Sequence, residues 1–199
     1  MLQIFHVPRT RSQRIVWLAE EMGLPYELKV ETFGEPSAEF AAATPVGAFP
    51  VIRDGDVVMG ESTAIMHYLT ERYGPTPLAP RPDNPRYPDY LQFLVFGEGS
   101  MAAFLNPVMM TRFFAPDDQK ENFTVDAAKG MFKKRLRALD AQLEKGDYMA
   151  GDFTAADISV GYSLGFGAVV GIDGDYSDRV KEYRDRLAAR PAYQAATAK

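Results

Sequence analysis

The apolar run from Val46 to Ile52 contains a proline, and this limits the possible folds more than any other feature of the chain. Pro50 has no N–H and so cannot donate a hydrogen bond within a strand ladder. We therefore expect Pro50 either on an edge strand or after a turned, cis X–Pro peptide bond. In the cis case the backbone N–H and C=O of Phe49 are free to pair with an outside peptide.

A hairpin and a helix follow this proline. The turn Arg53-Asp54-Gly55-Asp56 separates two short apolar segments, which is typical of a β-hairpin. Glu61-Ser62 then begins a helical pattern that runs to Tyr73. The first N–H groups of a helix have no partner inside the helix, so Ser62 would gather hydrogen-bond donors around it. Together with Phe49, this predicts a receptor for a small peptide that carries a carboxylate.

The first 75 residues predict an α/β unit with a mixed sheet. Alternating apolar residues indicate strands at residues 2–7 and 26–30. Helical spacing between them starts at Ser12 or Gln13 and ends at Gly23, and a short helix is expected from Ser37 to Ala43.

A proline-rich stretch separates this unit from a second one that contains only helical patterns. The six prolines from Pro75 to Pro88 exclude a regular helix, so we predict a linker at residues 77–86 between domains at 1–76 and 87–199. Thr154 and Asp157 form a predicted capping box. The expected helices are 87–104, 122–145, 154–169 and 177–190, with Pro191 ending the last.

Composition excludes several classes of function. The chain has no cysteine, which excludes disulfides, thiolate metal sites and a cysteine nucleophile. Its net charge is −5 without a basic patch, so nucleic acid is not an expected partner. The two histidines, His6 and His67, lack metal-ligand spacing, so no metal is expected. We find no signal peptide, and the weakly polar stretch 158–172 is too short to span a membrane, which predicts a cytoplasmic protein.

Four segments in the same order resemble the cytosolic-type glutathione S-transferases, in particular bacterial and fungal-type members. The resemblance implies a thioredoxin-like N-terminal domain followed by an all-helical C-terminal domain. It also implies a cytoplasmic homodimer that acts in detoxification. The four segments are Arg11–Leu18, Val46–Ile52, Gly60–Ile65 and Gly151–Asp157.

The resemblance implies roles for four residues in binding glutathione. The cysteinyl backbone of glutathione would pair with the backbone of Phe49 beside a cis Pro50. The γ-glutamyl carboxylate would lie near Ser62, where it meets the hydroxyl and the first-turn N–H groups. The carboxylate of Glu61 would hold the α-ammonium group.

A hydroxyl at the first strand–helix turn is then expected to favour the thiolate form of glutathione. Without cysteine, and without tyrosine in residues 1–25, the candidates are Thr10 and Ser12. Thr10 aligns with the serine of serine-type relatives. It also matches the first position of a capping box, Thr10-Arg11-Ser12-Gln13, which would use the same hydroxyl on its own helix.

One position departs from the family pattern. Many relatives carry a lysine where this chain has Ala48, and that lysine meets the glycyl carboxylate of glutathione. Here Arg11 or Arg112 is expected to replace it.

The predicted function is therefore attack of glutathione thiolate on small apolar electrophiles. The alternatives are glutathione-dependent peroxide or disulfide reduction or ether cleavage, and a non-catalytic glutathione-binding or protein-interaction module.

Overall fold

A computed structural model describes all 199 residues. The chain divides into two compact units, one formed by Met1–Ala79 with Ala188–Lys199 and the other by Pro80–Leu187. The strands are β1 (Leu2–His6), β2 (Tyr26–Val30), β3 (Val51–Asp54) and β4 (Val57–Met59). The α-helices are α1 (Ser12–Met22), α2 (Ala38–Ala43), α3 (Ser62–Arg72), α4 (Tyr87–Phe96), α5 (Ala103–Phe114), α6 (Phe123–Leu143), α7 (Ala155–Val169), α8 (Asp178–Ala188) and α9 (Pro191–Thr197).

The first unit is built on a mixed four-stranded sheet with the order β2-β1-β3-β4. Strand β1 pairs in parallel with β2 and antiparallel with β3, and β3 pairs antiparallel with β4 across the predicted hairpin. The parallel pair requires a crossover, which α1 provides. Gly23 ends α1 in the left-handed conformation with φ 62°, as the sequence predicts. The predicted fold class, a thioredoxin-like unit followed by helices, is confirmed.

The last helix belongs to the first unit, which differs from the predicted domain of residues 87–199. Helix α9 packs on α1, where the rings of Trp17 and Tyr193 meet edge to face at 4.8 Å. The guanidinium of Arg190 donates to both carboxylate oxygens of Glu21, at 2.6 and 2.8 Å. Pro191 was expected only to end a helix. It also begins the next one, because the first helical position needs no N–H donor.

A long helical segment forms the centre of the second unit. Helices α4 and α5 are joined by a π-helical segment, Gly97–Ala102, so the segment extends to Phe114 rather than to the predicted residue 104. It packs against α7, where the hydroxyl of Ser159 donates to the Leu94 carbonyl at 2.7 Å and that of Ser163 to the Gly97 carbonyl at 2.6 Å. Two buried hydroxyls therefore satisfy carbonyls at the π-helical irregularity.

Residues Tyr87–Phe114 are also long and apolar enough to cross a membrane, judged by length and composition. This segment was not predicted from the sequence, where only the shorter stretch 158–172 was weighed as a membrane span. Its buried side chains, which include Tyr90, Phe93 and Met101, lie in the core of the second unit. One face of the segment therefore packs in that core, while Leu91, Val95 and Met110 are exposed.

The predicted capping box at the start of α7 is confirmed. The Asp157 carboxylate is fully buried and accepts from the backbone N–H of Met149 at 2.9 Å, from that of Thr154 at 2.8 Å and from the Tyr183 hydroxyl at 2.8 Å. Burial raises the pKa of Asp157 to about 6, although these donors act in the opposite direction. The box thus joins the start of α7 to α8.

The approach of α4 to α7 depends on Gly97. A Cβ at Gly97 would lie 2.4 Å from the Ser159 hydroxyl oxygen and 2.5 Å from its carbonyl carbon, whereas one at Gly99 would meet only a Val95 methyl at 3.8 Å. We expect Gly97→Ala to lower the free energy of unfolding by about 2 kcal/mol, because the helices must separate. Gly99→Ala, the matched control, should be neutral or slightly stabilising. Urea denaturation measures both, and equal stabilities would contradict the packing argument.

Candidate functional site

Three segments that the sequence singled out meet at one edge of the sheet in the first unit. Because β1 and β3 are antiparallel with Phe5 opposite Val51, the end of β1 lies beside the start of β3. Because β3 and β4 are antiparallel with Ile52 opposite Met59, the end of β4 lies at the same edge. The turn into α1, the Phe49–Pro50 segment and the turn into α3 are therefore neighbours.

The Phe49–Pro50 peptide bond is cis. The Phe49 ring stacks on Phe40 with centroids 4.1 Å apart, and Phe40 in turn contacts Phe5 edge to face at 5.7 Å. These rings hold Phe49 against the core of the first unit. The backbone N–H and C=O of Phe49 make no hydrogen bond within the protein.

Ser62 is the first residue of α3 and is only 3% exposed. Its Oγ accepts a hydrogen bond of 2.9 Å from Nη1 of Arg14, a fully buried residue of α1. This pair was not predicted from the sequence. The available signal was a basic residue at the start of the apolar stretch of α1, because a buried guanidinium requires polar partners.

Glu61 precedes Ser62, is exposed and has a φ of 67°. A second non-glycine residue with positive φ, Arg9 at 65°, precedes Thr10. Non-glycine residues rarely adopt this region, and backbone strain of this kind clusters at functional sites. Both strained positions therefore lie next to a predicted site residue.

Thr10 and Ser12 lie together, and Ser12 begins α1 as predicted, but Thr10 does not cap the helix. The N-cap of α1 is Arg11 and makes no side-chain capping bond, so the predicted capping box at Thr10 is wrong. The hydroxyl of Thr10 instead donates to the Val7 carbonyl at 2.8 Å and lies 2.8 Å from Ser12 Oγ. Thr10 is half-buried, whereas Ser12 is fully buried.

His6, the last residue of β1, completes this cluster; the sequence had been considered only for a metal-binding role of this residue, and none was expected. Its Nδ1 lies 2.8 Å from Ser12 Oγ, and its buried Nε2 has no hydrogen-bond partner. Burial lowers the pKa of His6 to about 4, and the positive charge of Lys199 acts in the same direction. His6 is therefore neutral near pH 7.

The residues considered for the glycyl carboxylate belong to three different segments of the chain. Arg11 is half-buried at the start of α1, and Ala48 is exposed in the loop before Phe49. Arg112 lies in the second unit, where Nη1 donates to the Val170 carbonyl at 2.8 Å. No group of three or more acidic or histidine side chains is placed to hold a metal ion.

Comparisons with known proteins decide the family. Residues 5–77 match the family model described as "Glutathione S-transferase, N-terminal domain". The chain is 31% identical to "Glutathione S-transferase 3" of Schizosaccharomyces pombe over 170 residues, which cover 79% of this chain and 70% of the relative. The chain belongs to the glutathione S-transferase family.

Solved structures agree with this assignment. This glutathione S-transferase superimposes on the glutathione transferase of Methylococcus capsulatus with a TM-score of 0.87 and 25% identity, covering 100% of this chain and 98% of the other. It also superimposes on a sphingomonad glutathione S-transferase complexed with glutathione, with a TM-score of 0.84 and 27% identity over 98% and 97% of the two chains. The predicted family and enzyme class are confirmed.

Burial of His6 predicts a defined pH dependence of stability. The folded pKa of about 4 lies below the ordinary value of 6.5, so between these values the unfolded chain binds a proton that the folded transferase excludes. His6 therefore makes the free energy of unfolding fall by about 1.4 kcal/mol for each unit of pH lost in this window.

Urea denaturation across this pH range checks the prediction. His6→Asn should lose this part of the slope, because asparagine does not titrate. His67→Asn, which alters the exposed histidine, should behave like the parent. An unchanged slope in His6→Asn would show that His6 is not buried in its neutral form.

Proposed function

We propose that this enzyme binds glutathione at the sheet edge and activates its thiol as thiolate for attack on small apolar electrophiles. The observation that carries the proposal is the convergence of three groups at that edge: the half-buried Thr10 hydroxyl, the unpaired Phe49 backbone and the start of α3 at Ser62. They match the thiol, the peptide backbone and the γ-glutamyl carboxylate of one tripeptide.

We assign Thr10 as the residue that contacts the thiol of glutathione. Ser12 is fully buried and shares its hydroxyl with His6, so Thr10 is the hydroxyl left to meet a ligand. A hydrogen bond to sulfur and the N-terminus of α1 both favour the thiolate over the thiol. The thiolate would displace halide from an aryl halide: a C–S bond forms, the halide leaves with its electron pair, and the thiol proton passes to solvent. No covalent enzyme intermediate is needed.

The remaining contacts hold the peptide. The N–H and C=O of Phe49 would pair with the cysteinyl backbone beside Pro50. Ser62 accepts from Arg14, which leaves its own proton for the γ-glutamyl carboxylate, and Glu61 would receive the α-ammonium. Free N–H groups of the first turn of α3 add to this anion site. Glutathione bound to the sphingomonad relative supports this ligand.

The glycyl carboxylate is assigned to Arg11. The loop at Ala48 offers no cation, and the nearest cation that follows it in the chain is Arg53. Arg11 lies at the start of α1, beside the proposed thiol position.

One observation favours a second function, glutathione binding without turnover. The Thr10 hydroxyl already donates to the Val7 carbonyl at 2.8 Å, so it must leave that acceptor to meet a sulfur. Peroxide or disulfide reduction and ether cleavage would begin with the same thiolate attacking a different electrophile, and the two reductions would also consume a second glutathione to form glutathione disulfide.

Variants of Thr10 separate these possibilities. We expect Thr10→Val to lower kcat/KM for conjugation of chlorodinitrobenzene about 100-fold, because one donor to the reacting sulfur is lost. Its affinity for glutathione, measured by calorimetry, should change little, and Thr10→Ser should retain activity. Binding without conjugation in the parent protein would favour the non-catalytic module, and an absence of binding would reject the proposed site.

A variant of Ser62 tests the carboxylate end of the proposed site, as the Thr10 variants test the thiol end. We expect Ser62→Ala to weaken glutathione binding about 10-fold, because a hydrogen bond to a carboxylate is lost. The thiol pKa of the fraction that binds should stay close to the parent value.

We also propose a homodimer that forms through α4, and a cytoplasmic location in keeping with the cytosolic-type relatives. Leu91 and Val95 are 41% and 53% exposed and line an apolar hollow with Pro88 and Phe96. An apolar face of this kind marks an interaction surface.

Light scattering after size exclusion tests the assembly. Val95→Glu should shift the mass from dimer to monomer, because a charge would be buried in the interface. Val169→Glu is the matched control, since Val169 is equally exposed at 53% but lies outside this face. A monomeric parent, or a dimer unaffected by Val95→Glu, would reject this interface.

A further inference from the structure

A buried row of three polar side chains lies behind the proposed thiol position. His6 Nδ1 is 2.8 Å from Ser12 Oγ, and Ser12 Oγ is 2.8 Å from Thr10 Oγ1. His6 is 1% exposed and Ser12 is fully buried, so Thr10 is the only one of the three side chains that is partly exposed. The row is therefore a connection from the interior of the first unit to the proposed sulfur position.

The partners of each group determine the direction of these hydrogen bonds. If Ser12 donated to His6 Nδ1, the ring proton would lie on Nε2, which is buried without a partner. An unpaired buried N–H is rarer in proteins than an unpaired buried acceptor. The favoured neutral tautomer therefore carries its proton on Nδ1 and donates to Ser12 Oγ.

The hydroxyl of Ser12 then has one preferred hydrogen-bond acceptor. Ser12 Oγ already accepts from His6 and, at 3.2 Å, from the Val7 N–H, so it is left to donate. Thr10 Oγ1 at 2.8 Å is a closer acceptor than the Val7 carbonyl at 3.2 Å. Thr10, accepting from Ser12, in turn donates outward: to the Val7 carbonyl at 2.8 Å without ligand, and to a sulfur when one is bound.

We propose that His6 and Ser12 are positioning residues that form a one-directional hydrogen-bond relay and aim the Thr10 proton at the glutathione sulfur. This inference rests on the proposed function and deepens it. Successive hydrogen bonds polarise one another in a low-dielectric interior, so each donor strengthens the next. The relay makes Thr10 a better donor to a thiolate than an isolated threonine hydroxyl.

The surroundings of His6 keep it in the state that the relay needs. No carboxylate hydrogen-bonds to its ring, and the charged group that acts on it, Lys199, disfavours the imidazolium. A neutral ring has only one N–H, so placing that proton on Nδ1 fixes the direction of the whole row.

The thiol pKa of enzyme-bound glutathione, read from the ultraviolet absorbance of the thiolate as pH is varied, tests the relay. Thr10→Val should raise this pKa by about two units, towards the ordinary thiol value. Ser12→Ala and His6→Phe should raise it by about one unit each, because Thr10 remains but is no longer polarised. His6→Asn should restore the parent value, because the asparagine amide offers an N–H where Nδ1 stood.

The outcomes separate the relay from the proposed function. If Thr10→Val raises the thiol pKa while Ser12→Ala and His6→Phe leave it at the parent value, the relay is overturned and the proposed function stands. If the parent does not bind glutathione, or Thr10→Val has no effect, both are overturned. A purely structural role for His6 predicts loss of stability in His6→Phe and His6→Asn alike, without selective recovery of the thiol pKa.

A second measurement on the parent protein does not depend on any core variant folding. The ¹⁵N ring shifts of the two histidines distinguish the neutral tautomers, and His67→Gln assigns the remaining signal to His6. We expect the Nδ1-protonated form at neutral pH, in the presence and absence of glutathione. The Nε2-protonated form would reverse the first hydrogen bond and overturn the relay.

Discussion

The antiparallel pairing of β1 with β3 is the constraint on which the proposed site depends. Its register places Phe5 opposite Val51, so the residues that follow β1 and those that precede β3 share one sheet edge. The hairpin then returns the chain to that edge at Met59. A slip of one residue in this register would turn the buried side chains of β3 towards the other face of the sheet. The core of the first unit and the site at its edge are therefore specified by the same pairing.

Behind this edge, the groups expected to touch a ligand are held by polar groups that are themselves buried. Arg14 donates to Ser62, and His6 and Ser12 lie behind Thr10. A hydroxyl is a weak donor that can rotate. The direction in which its O–H points therefore depends on which neighbouring group donates a hydrogen bond to its oxygen. Burial makes these bonds strong and also makes their loss expensive in stability, because an unpaired polar group in the interior is poorly tolerated. Stability and the geometry of the site are thus coupled through the same residues.

Much of the architecture could be predicted from local patterns. Strand alternation, helical spacing and the cap at Gly23 depend on neighbouring residues, and these predictions were confirmed. The wrong predictions concern features whose structure depends on contacts beyond the local sequence pattern. Helix α9 is held by Trp17 and Glu21 of α1, and no local pattern shows that the last residues return to the first unit. The residues at Thr10 fit the local pattern of a capping box. In the structure the Thr10 hydroxyl instead donates to the Val7 carbonyl in the preceding turn.

The sequence by itself determined the order of elements in the first 75 residues, the exclusion of cysteine chemistry and the family resemblance, since these depend on residue type and spacing along the chain. It also identified Thr10, Ser12, Phe49 and Ser62 as candidates. Only the tertiary structure distinguished the burial of the two hydroxyls, with Ser12 fully buried and Thr10 half-buried, and only it revealed His6 and Arg14 behind them. The physical reason is that burial and hydrogen-bond direction arise from segments distant in sequence, such as α1 and α3, which the register of a sheet brings together.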